Sequence, residues 1–590
     1  MPDQKPILIY DGRCGFCKIW IDYWKQLTEG RVEYAPSQEV GDQYPEISKE
    51  AFARSVQFVR TDGSVASGAR AVFESLDMRK TYETSRLFAW VTEQVYRFIA
   101  DHRDLAYQVT RFTFGTRIEP SRFAATQWIF LRLLAVVYAV AFGSLAGQIK
   151  GLVGEHGISP VHGFMEEVAR SLGGNRLFVM PTVFWWDSSD AMLAGVCWVG
   201  VALAVLLLVG VLPRLMLIGL FVLYLSLSSA GQEFLGFQWD SLLLETGFLA
   251  IFLGRARIIV WLFRWLVFRL SLLSGAVKLL SHDPTWRNLT ALDFHYHTQP
   301  LPTVIAWYAD KLPQGFQRAS TLIVLAVELG VPFLIFMPRR IRLTGAWCMI
   351  GLQMLILLTG NYTFFNLLTI GLCLFLFDDQ ALARFAPQRL RGLGRERLPR
   401  VERAFIAVLA AWIALLGWTR IIETFSGGAP EPLRTLSRIT APFQIVNSYG
   451  LFAVMTTTRP EIIVEGSQDG ETWTAYEFRY KPGDLNRAPK WVAPFQPRLD
   501  WQMWFAALGN YRQNLWFVGF AARLLEGSPD VLRLLDKNPF PDRPPQYVRA
   551  MAFEYSFSDW ETHRRTGAWW KREPLGTYLP AIGMKASAAR

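Results

Sequence analysis

The stretch ILIYDGRCGFCK, residues 7–18, predicts how the N-terminal part of the chain folds. Its apolar residues 7–10 are typical of a strand, and Asp11 and Gly12 are turn-forming residues. The following segment, Lys18–Leu27, repeats its apolar residues at helical spacing. The stretch therefore predicts a strand, a tight turn and a helix, with a CxxC motif where the helix begins.

The CxxC motif consists of Cys14 and Cys17. The dipole and the unpaired N–H groups of a helix N-terminus favour a thiolate, so we expect Cys14 to attack and Cys17, one turn later, to resolve the mixed disulfide. Lys18 adds positive charge nearby, and Gly12 supports the turn. Asp11 is either a proton acceptor or a turn former. The alternative is a pair without redox activity.

Further along, residues 1–115 predict a small α/β domain. We expect a strand near Val32–Ala35, a hairpin made by Val56–Val59 and the turn after it, and helices at Gly68–Leu76 and Ser85–Ala100. This order of elements indicates a thioredoxin-like layer.

Nine apolar segments then predict a polytopic membrane protein, although several are shorter than the ~20 residues of a perpendicular span. They are Trp128–Gln148, Ala191–Leu212, Leu215–Ala230, Ser241–Leu253, Ile258–Leu280, Ala319–Met337, Leu343–Leu358, Tyr362–Phe377 and Ala404–Trp418.

The basic residues between these segments predict an orientation. Arginines fill the gaps after the second, fourth, sixth and eighth segments, whereas the short third and seventh gaps hold no Lys or Arg. By the positive-inside rule this alternation favours nine spans, with the N-terminal domain in the cytoplasm and the region after Trp418 on the other side. The arginines are Arg214, Arg255, Arg257, Arg339, Arg340, Arg342, Arg384, Arg389, Arg391, Arg395, Arg397, Arg400 and Arg403.

Composition limits the class of protein. The chain has 51% hydrophobic residues and 23 Trp, as expected for a membrane protein. Its net charge of +11 is explained by the arginines between spans, so we expect no nucleic-acid partner. The N-terminal residues show no signal-peptide pattern.

Cys197, Cys348 and Cys373 stand singly in apolar runs, where cysteine acts as a small hydrophobe. We predict no disulfide framework, no metal site at the CxxC and no cofactor.

Residues 426–590 predict a soluble α+β domain with a β-sandwich-like part. Glu461–Glu465 and Thr472–Tyr480 alternate around a turn, as does Tyr547–Phe557 farther on, and Leu499–Leu508 and Leu515–Leu525 have helical patterns. The predicted domains are thus residues 1–115, a helical membrane bundle at 116–425, and residues 426–590.

Charged residues in the apolar segments are candidates for function or for buried ion pairs, because an unpaired charge in a membrane is costly. The candidates are Asp240, Glu245, Lys278 and Glu328. Glu245 could pair with Arg264 or Arg269, or some arginines could snorkel to the interface. Lys278 could instead bind backbone carbonyls or Asp283.

Histidines and tryptophans supply two further candidate sites. His282, His295 and His297 follow the fifth segment, and the HYH string places two imidazoles on one face of an extended strand. Metal binding would need a third ligand, Asp283 or Asp293, so we favour surface or hydrogen-bonded histidines. In the C-terminal region, Trp491, Trp501, Trp504 and Trp516 are candidates for a client-binding groove. Core packing or interfacial anchoring explains most of these rings equally well.

The string YDGRCGFC resembles the DCC family of thiol-disulfide oxidoreductases, whose motif Asp11, Cys14 and Cys17 match. The resemblance covers about 110 residues and implies disulfide exchange. The chain departs from thioredoxins because no proline precedes the Val56 strand. Substrate docking of the thioredoxin kind is therefore not implied.

Four long strings stand in the chain from about Arg122 onward: GFQWDSLLLETGFLAIF from Gly236, SGAVKLLSHDPTWRNLTALDFHYHTQPLP from Ser274, GNYTFFNLLTI from Gly360 and RAPKWVAPFQPRLDWQMWFAALG from Arg487. By these strings the chain resembles the lipase maturation factor family, and the resemblance implies assistance to the folding of exported lipases. In addition, GAVKLLSHDPTW is similar to the lysine-bearing helix end of the vitamin K-dependent carboxylase superfamily, which implies that Lys278 would act as a base.

The leading hypothesis is a membrane-bound maturation factor whose dithiol domain works as a reductase. We expect an exported lipase or other secreted client, a thioredoxin or low-molecular-weight thiol as redox partner, and membrane lipid as surroundings. The location would be a bacterial inner membrane, or the endoplasmic reticulum in a eukaryote. A carboxylase-like membrane enzyme using Lys278, and a non-catalytic chaperone with an inert CxxC, are the alternatives.

Overall fold

The computed structural model describes residues 5–382, 384, 385, 387 and 399–583. The predicted loop arginines Arg389, Arg391, Arg395 and Arg397 lie outside the described residues. Two compact units are present. The first consists of Met1–Arg122, Phe336–Thr344 and Asp378–Gln380, and the second holds the remaining residues.

The first unit contains the α/β domain, built around a four-stranded sheet. The strand order is β2-β1-β3-β4, with β1 and β2 parallel and the other pairs antiparallel. Its elements are β1 Ile7–Tyr10, α1 Gly15–Thr28, β2 Glu33–Pro36, α2 Ser37–Val40, α3 Lys49–Arg54, β3 Gln57–Val59, β4 Val65–Ser67, α4 Gly68–Ser75, α5 Arg79–Thr84, α6 Arg86–Asp101 and α7 Arg103–Thr113.

The predicted strands and helices of this domain are confirmed within a few residues. Both faces of the sheet are buried, and alternation sends neighbouring residues to different clusters: Leu8 and Phe58 pack with Ile21 of α1 and Val72 of α4, whereas Ile9 belongs to a second cluster. The thioredoxin-like arrangement stays a prediction.

The helices of the membrane part run from α8 to α23. They are α8 Ala124–Ala146, α9 Ile149–Val153, α10 Val161–Leu172, α11 Arg176–Val179, α12 Asp190–Val209, α13 Pro213–Ala230, α14 Gln238–Ala250, α15 Arg257–Leu280, α16 Pro284–Arg287, α17 Ala291–Thr298, α18 Val304–Asp310, α19 Gln314–Leu329, α20 Arg339–Thr359, α21 Phe365–Cys373, α22 Asp379–Leu382 and α23 Arg400–Ser426.

Among the residues that the structure describes, seven helices are long and apolar enough to cross a membrane. They are α8, α12, α13, α15, the segment Gln314–Phe336, α20 and α23. Two predicted spans correspond to shorter helices: Ser241–Leu253 falls on α14, which has 13 residues, and Tyr362–Phe377 on the apolar helix Phe365–Leu376. The count of nine is therefore not confirmed by helix length.

The C-terminal region combines helices with a four-stranded antiparallel sheet of order β10-β9-β5-β6 and a pair β7-β8. Its elements are α24 Glu431–Thr440, β5 Pro460–Ser467, β6 Thr474–Ala475, β7 Glu477–Phe478, α25 Arg498–Ala507, α26 Leu515–Glu526, α27 Pro529–Leu532, β8 Leu535–Lys537, β9 Tyr547–Phe557, α28 Trp560–Thr566 and β10 Trp570–Gly583. The predicted hairpin and both predicted helices are present. The sandwich-like packing stays a prediction.

Candidate dithiol site

Cys14 caps the N-terminus of α1. Its backbone is extended (φ −75°, ψ 112°), and its Sγ accepts a hydrogen bond from the backbone N–H of Cys17 at 3.2 Å. Both cysteines are half-buried free thiols. The strand, turn and helix thus place the first sulfur where the helix dipole favours a thiolate.

Asp11 forms the turn that leads to Cys14. Its carbonyl oxygen accepts from the N–H of Cys14 at 3.3 Å, and its Oδ1 accepts from the N–H of Arg13 at 3.0 Å and from Gln38 Nε2 at 2.9 Å. The turn-former interpretation is therefore supported by geometry. The carboxylate still borders the same pocket as Cys17, so a role as proton acceptor stays a prediction.

Gly12 is required by crowding in this turn. A Cβ at Gly12 would lie 2.7 Å from Pro36 Cβ and 2.8 Å from Gln38 Oε1, closer than carbon and oxygen atoms tolerate. The N–H of Gly12 also donates to Gln38 Oε1 at 2.9 Å. Glycine therefore lets the turn pack on β2.

A cation beside the dithiol, Arg103, could not be recognised from the sequence. This first residue of α7 donates from Nη1 to Asp11 Oδ2 at 3.3 Å, and from Nη2 to the carbonyls of Ala53 and Arg54 at 2.6 and 3.0 Å. Lys18, the predicted source of positive charge, is exposed on α1. The contribution of Lys18 stays a prediction, and Arg103 was missed because it lies 92 residues from Asp11 in the sequence.

The two sulfurs have different acidities. A hydrogen bond from Cys17 is the main cause that lowers the pKa of Cys14 to about 6, and the charge of Arg103 lowers it further, while burial and Asp11 act in the opposite direction. The hydrogen bond to Cys14, followed by burial, raises the pKa of Cys17 well above its usual range. Cys14 is therefore the thiolate at neutral pH and Cys17 keeps its proton.

A small pocket lies beside Cys17. Its cavity volume is about 40 Å³, room for a few water molecules or the tip of a side chain. The wall is mostly apolar, with Phe16 and Trp20 from α1 and Tyr96 from α6, and Arg103 supplies the positive charge. A small group held in this pocket would lie against Cys17.

We expect the alkylation rate of Cys14 by iodoacetamide to rise with pH around a midpoint of about 6, because only the thiolate reacts. Arg103→Met removes a charge that lowers this pKa, so it moves the midpoint upward. Lys18→Met is the matched control and shifts it less. Mass spectrometry of the labelled peptide measures both rates, and a midpoint near 8.5, the ordinary cysteine value, contradicts the assignment.

In the second unit, Glu245 is the acceptor of a buried polar cluster. Its Oε1 accepts from Arg269, and its Oε2 accepts from Tyr449 Oη and from the N–H of Asn447, both at 2.8 Å. Arg269 also donates to the carbonyl of Asn447 at 3.0 Å. Of the two predicted partners, Arg269 is the one that pairs with Glu245. The ion pair and its hydrogen bonds offset part of the cost of burying the two charges.

Asp240 is bound in the same way by a residue far away in sequence. Arg498 of α25 donates from Nη1 and Nη2 to the two carboxylate oxygens at 3.1 and 2.9 Å, and both side chains are fully buried. Tyr224 Oη donates to the same carboxylate. This arrangement joins the C-terminal region to the helical bundle, which accounts structurally for Asp240.

Lys278 forms an ion pair with Glu328 at 2.7 Å and donates to the carbonyl of Ser274 at 3.0 Å. The predicted carbonyl contact is confirmed, whereas Asp283 as partner was wrong. Asp283 instead caps α16 by accepting from the N–H of Thr285 at 2.7 Å. A catalytic role of Lys278 stays a prediction.

The histidines do not form the predicted strand face. The HYH string lies in the helix α17, so successive imidazoles diverge. His295 faces Tyr362 Oη at 3.3 Å and His297 faces Asp310 at 2.9 Å. Within the described ranges, no group of three His, Cys, Asp or Glu side chains could hold a metal ion.

The candidate client-binding tryptophans separate into two kinds. Trp501, Trp504 and Trp516 are buried, because the apolar face of α25 and α26 packs inward. They cannot contact a client in this structure, so core packing is the better explanation. Trp491 is 52% exposed and stays a candidate.

Three family models match different parts of the chain. Family models match residues 125–384 (lipase maturation factor transmembrane domain), residues 445–580 (lipase maturation factor C-terminal domain) and residues 8–109 (DCC1-like thiol-disulfide oxidoreductase). No solved structure matches the chain.

Two curated relatives show how far the similarity extends. The chain is 35% identical to lipase maturation factor 2 of Gallus gallus over 584 residues, which covers 77% of this chain and 81% of that protein. It is also 35% identical to lipase maturation factor 1 of Bos taurus over 532 residues, covering 81% and 92%. The chain therefore belongs to the lipase maturation factor family, with a DCC1-like domain at its N-terminus.

Proposed function

We propose that this chain is a membrane-bound maturation factor for lipase-like exported proteins, and that its N-terminal domain is a thiol-disulfide reductase. The family membership supports the first half. The observation that carries the second is the position of Cys14 as the N-cap of α1, with its sulfur accepting a backbone hydrogen bond.

The proposed reaction uses the two sulfurs in sequence. The Cys14 thiolate attacks one sulfur of a substrate disulfide, forms a mixed disulfide and releases the other sulfur as a thiolate. Cys17 then loses its proton, for which Asp11 on the same pocket is the acceptor we favour. Its sulfur attacks Cys14, and the substrate leaves as a dithiol. A small thiol or a thioredoxin reduces the resulting Cys14–Cys17 disulfide.

We also propose nine membrane crossings, including the two short helices. Arg339 Nε and Nη2 donate to the two carboxylate oxygens of Asp378 at 2.6 and 3.0 Å, so both residues belong to one side of the membrane. Because α20 crosses between them, the chain has to cross back before Asp378. The apolar helix Phe365–Leu376 lies in that interval, which supports its being a crossing.

A second contact supports a crossing by α14. The N–H of Asp379 donates to the carbonyl of Arg122 at 2.9 Å, so Arg122 shares that side too. Five long apolar helices lie between Arg122 and Arg339, from α8 to Gln314–Phe336. Because both residues lie on the same side of the membrane, the number of crossings between them has to be even. The buried helix α14 supplies the sixth, and a short helix is tolerated where protein surrounds it.

Contacts on the other side of the membrane also support nine crossings. Asn361, after α20, donates to the carbonyl of Lys490 at 2.8 Å, and Arg459 donates to the carbonyl of His297, after α15, at 2.7 Å. With nine crossings, these loops lie on the same side of the membrane as the C-terminal domain. The arginine-rich loops then lie on the same side as the dithiol domain. By the positive-inside rule the dithiol is then cytoplasmic, where thiols are kept reduced.

Opposite sides for the dithiol and the C-terminal domain suggest that the redox and client functions are independent or loosely coupled. Co-production with an exported lipase tests the maturation function. We expect the activity per mass of secreted lipase to fall when the chain is absent, and to be kept by the Cys14→Ser/Cys17→Ser variant. An unchanged specific activity without the chain contradicts the proposal, and a loss in the double variant shows that the two functions are coupled.

A further inference from the structure

Helices α6 and α7 each expose a row of large apolar side chains. Phe112 is 73% exposed, Trp90 63% and Phe98 58%. The spacing of three, four and seven residues puts them along one face of each helix. We call this set the apolar stripe, and it consists of Leu87, Trp90, Val91, Val95 and Phe98 on α6 and Leu105, Val109 and Phe112 on α7.

The apolar stripe is not the face by which these helices pack on their own domain. The opposite faces do that: Tyr96 Oη accepts a hydrogen bond from the N–H of Val56 at 2.9 Å, and Tyr107 packs on Gly15. Large exposed apolar patches on a folded domain mark a surface that binds something. The remaining question is what covers it.

The end of the apolar stripe is fixed near the start of a membrane helix. Arg340, the second residue of α20, donates to the carbonyl of Arg111 at 3.1 Å, next to Phe112. Arg340 and Arg111 belong to the same compact unit. In addition, the ten residues 114–123 separate α7 from the membrane helix α8, a reach of at most about 36 Å.

We propose that the apolar stripe inserts into the headgroup layer of the leaflet that faces the dithiol domain, so that phospholipid covers it. Amphipathic helices bind this way, with the apolar face ~5–10 Å into the boundary of headgroups and acyl chains. The exposed charges beside the stripe are mixed, with Arg97 and Arg111 near Asp101 and Asp104. Burial of apolar area, more than attraction to anionic lipid, therefore holds the helices.

This placement determines the distance of the redox site from the membrane surface. Tyr96, Ile99 and Arg103 of the same two helices line the pocket beside Cys17. The pocket thus lies about one helix diameter, ~10–12 Å, from the lipid surface. Substrates have to reach the dithiol at the membrane, not in free solution.

Photo-crosslinking in the full chain tests the proposal. We place p-benzoylphenylalanine at Phe98 or Phe112, where it replaces an exposed ring, and irradiate native membranes. Asp104 and Lys18, both exposed but off the stripe, are the matched control positions, and Leu355, exposed on α20, is the positive control. We expect peptides with the mass increment of a phospholipid at Phe98, Phe112 and Leu355, and none at Asp104 or Lys18.

Three results would overturn the proposal. A product of twice the chain mass from Phe98 or Phe112 would mean that a second copy covers the stripe, and an adduct with another protein would mean a protein partner. Lipid adducts at Leu355 but at neither stripe position would mean that the stripe does not touch the bilayer.

Discussion

Replacing Cys14 by serine is expected to reduce disulfide exchange to the level of the chain without both cysteines. A hydroxyl keeps its proton at neutral pH and cannot attack a disulfide, whereas Cys14, with a pKa of about 6, is a thiolate. Cys17→Ser has a different result, because the first attack still occurs and resolution does not. We expect it to accumulate a mixed disulfide with the substrate.

Purified full-length protein, a fluorescent disulfide substrate and a thiol donor are sufficient to measure both outcomes. Reduction is followed by fluorescence, and the trapped mixed disulfide by mass spectrometry of the Cys14 peptide. Cys348→Ser is the matched control, since Cys348 is the exposed cysteine away from the site. Equal turnover by Cys14→Ser and the unmodified chain would leave the inert-CxxC hypothesis as the better one.

The local part of this site could be predicted from the sequence because its determinants are adjacent in the chain. Strand β1, the turn at Asp11 and the helix α1 each have a short-range signal, and together they fix Cys14 as the N-cap. Arg103 lies 92 residues from Asp11. Nothing in its own surroundings distinguishes it from other arginines, so only the folded domain identifies it.

The strand β10 shows a different limit. Pro574, Gly576 and Pro580 disfavour a strand, and no strand is predicted there from the sequence. The structure nevertheless pairs β10 with β9 along most of its length, with register shifts after Pro574, Thr577 and Leu579. The irregular pairing at the edge of the sheet accommodates residues that a central strand would exclude.

Charged residues in the apolar segments could be recognised from the sequence, but most of their partners could not. Asp240, Glu245 and Lys278 were recognised because charge in an apolar segment is costly. Two of the three partners, Arg498 and Glu328, could not be assigned, since pairing depends on which helices and loops meet. The structure shows ion pairs at all three positions. Structural pairing therefore accounts for the burial of these charges, while a catalytic role of Lys278 stays a prediction.

The strongest expected effect on stability comes from the pair of Asp240 and Arg498. Arg498→Met leaves a fully buried carboxylate without its two charged hydrogen bonds. Breaking a buried pair on one side costs about 3–5 kcal/mol, so we expect a marked fall in the midpoint of heat unfolding in detergent. The double variant Asp240→Leu/Arg498→Met removes both charges and should regain most of that loss, because buried ion pairs contribute little net stability over apolar packing.

The exposed pair of Arg434 and Glu431 supplies the control. The guanidinium Nη2 of Arg434 lies 2.9 Å from Glu431 Oε2, but both side chains are more than half exposed, and such pairs contribute roughly 0–1 kcal/mol. Arg434→Met should therefore leave the midpoint nearly unchanged. If Arg498→Met behaves like Arg434→Met, the buried pair does not join the C-terminal region to the helical bundle. If the double variant is as unstable as the single one, lost packing and hydrogen bonds to Tyr224, and not an uncompensated charge, cause the damage.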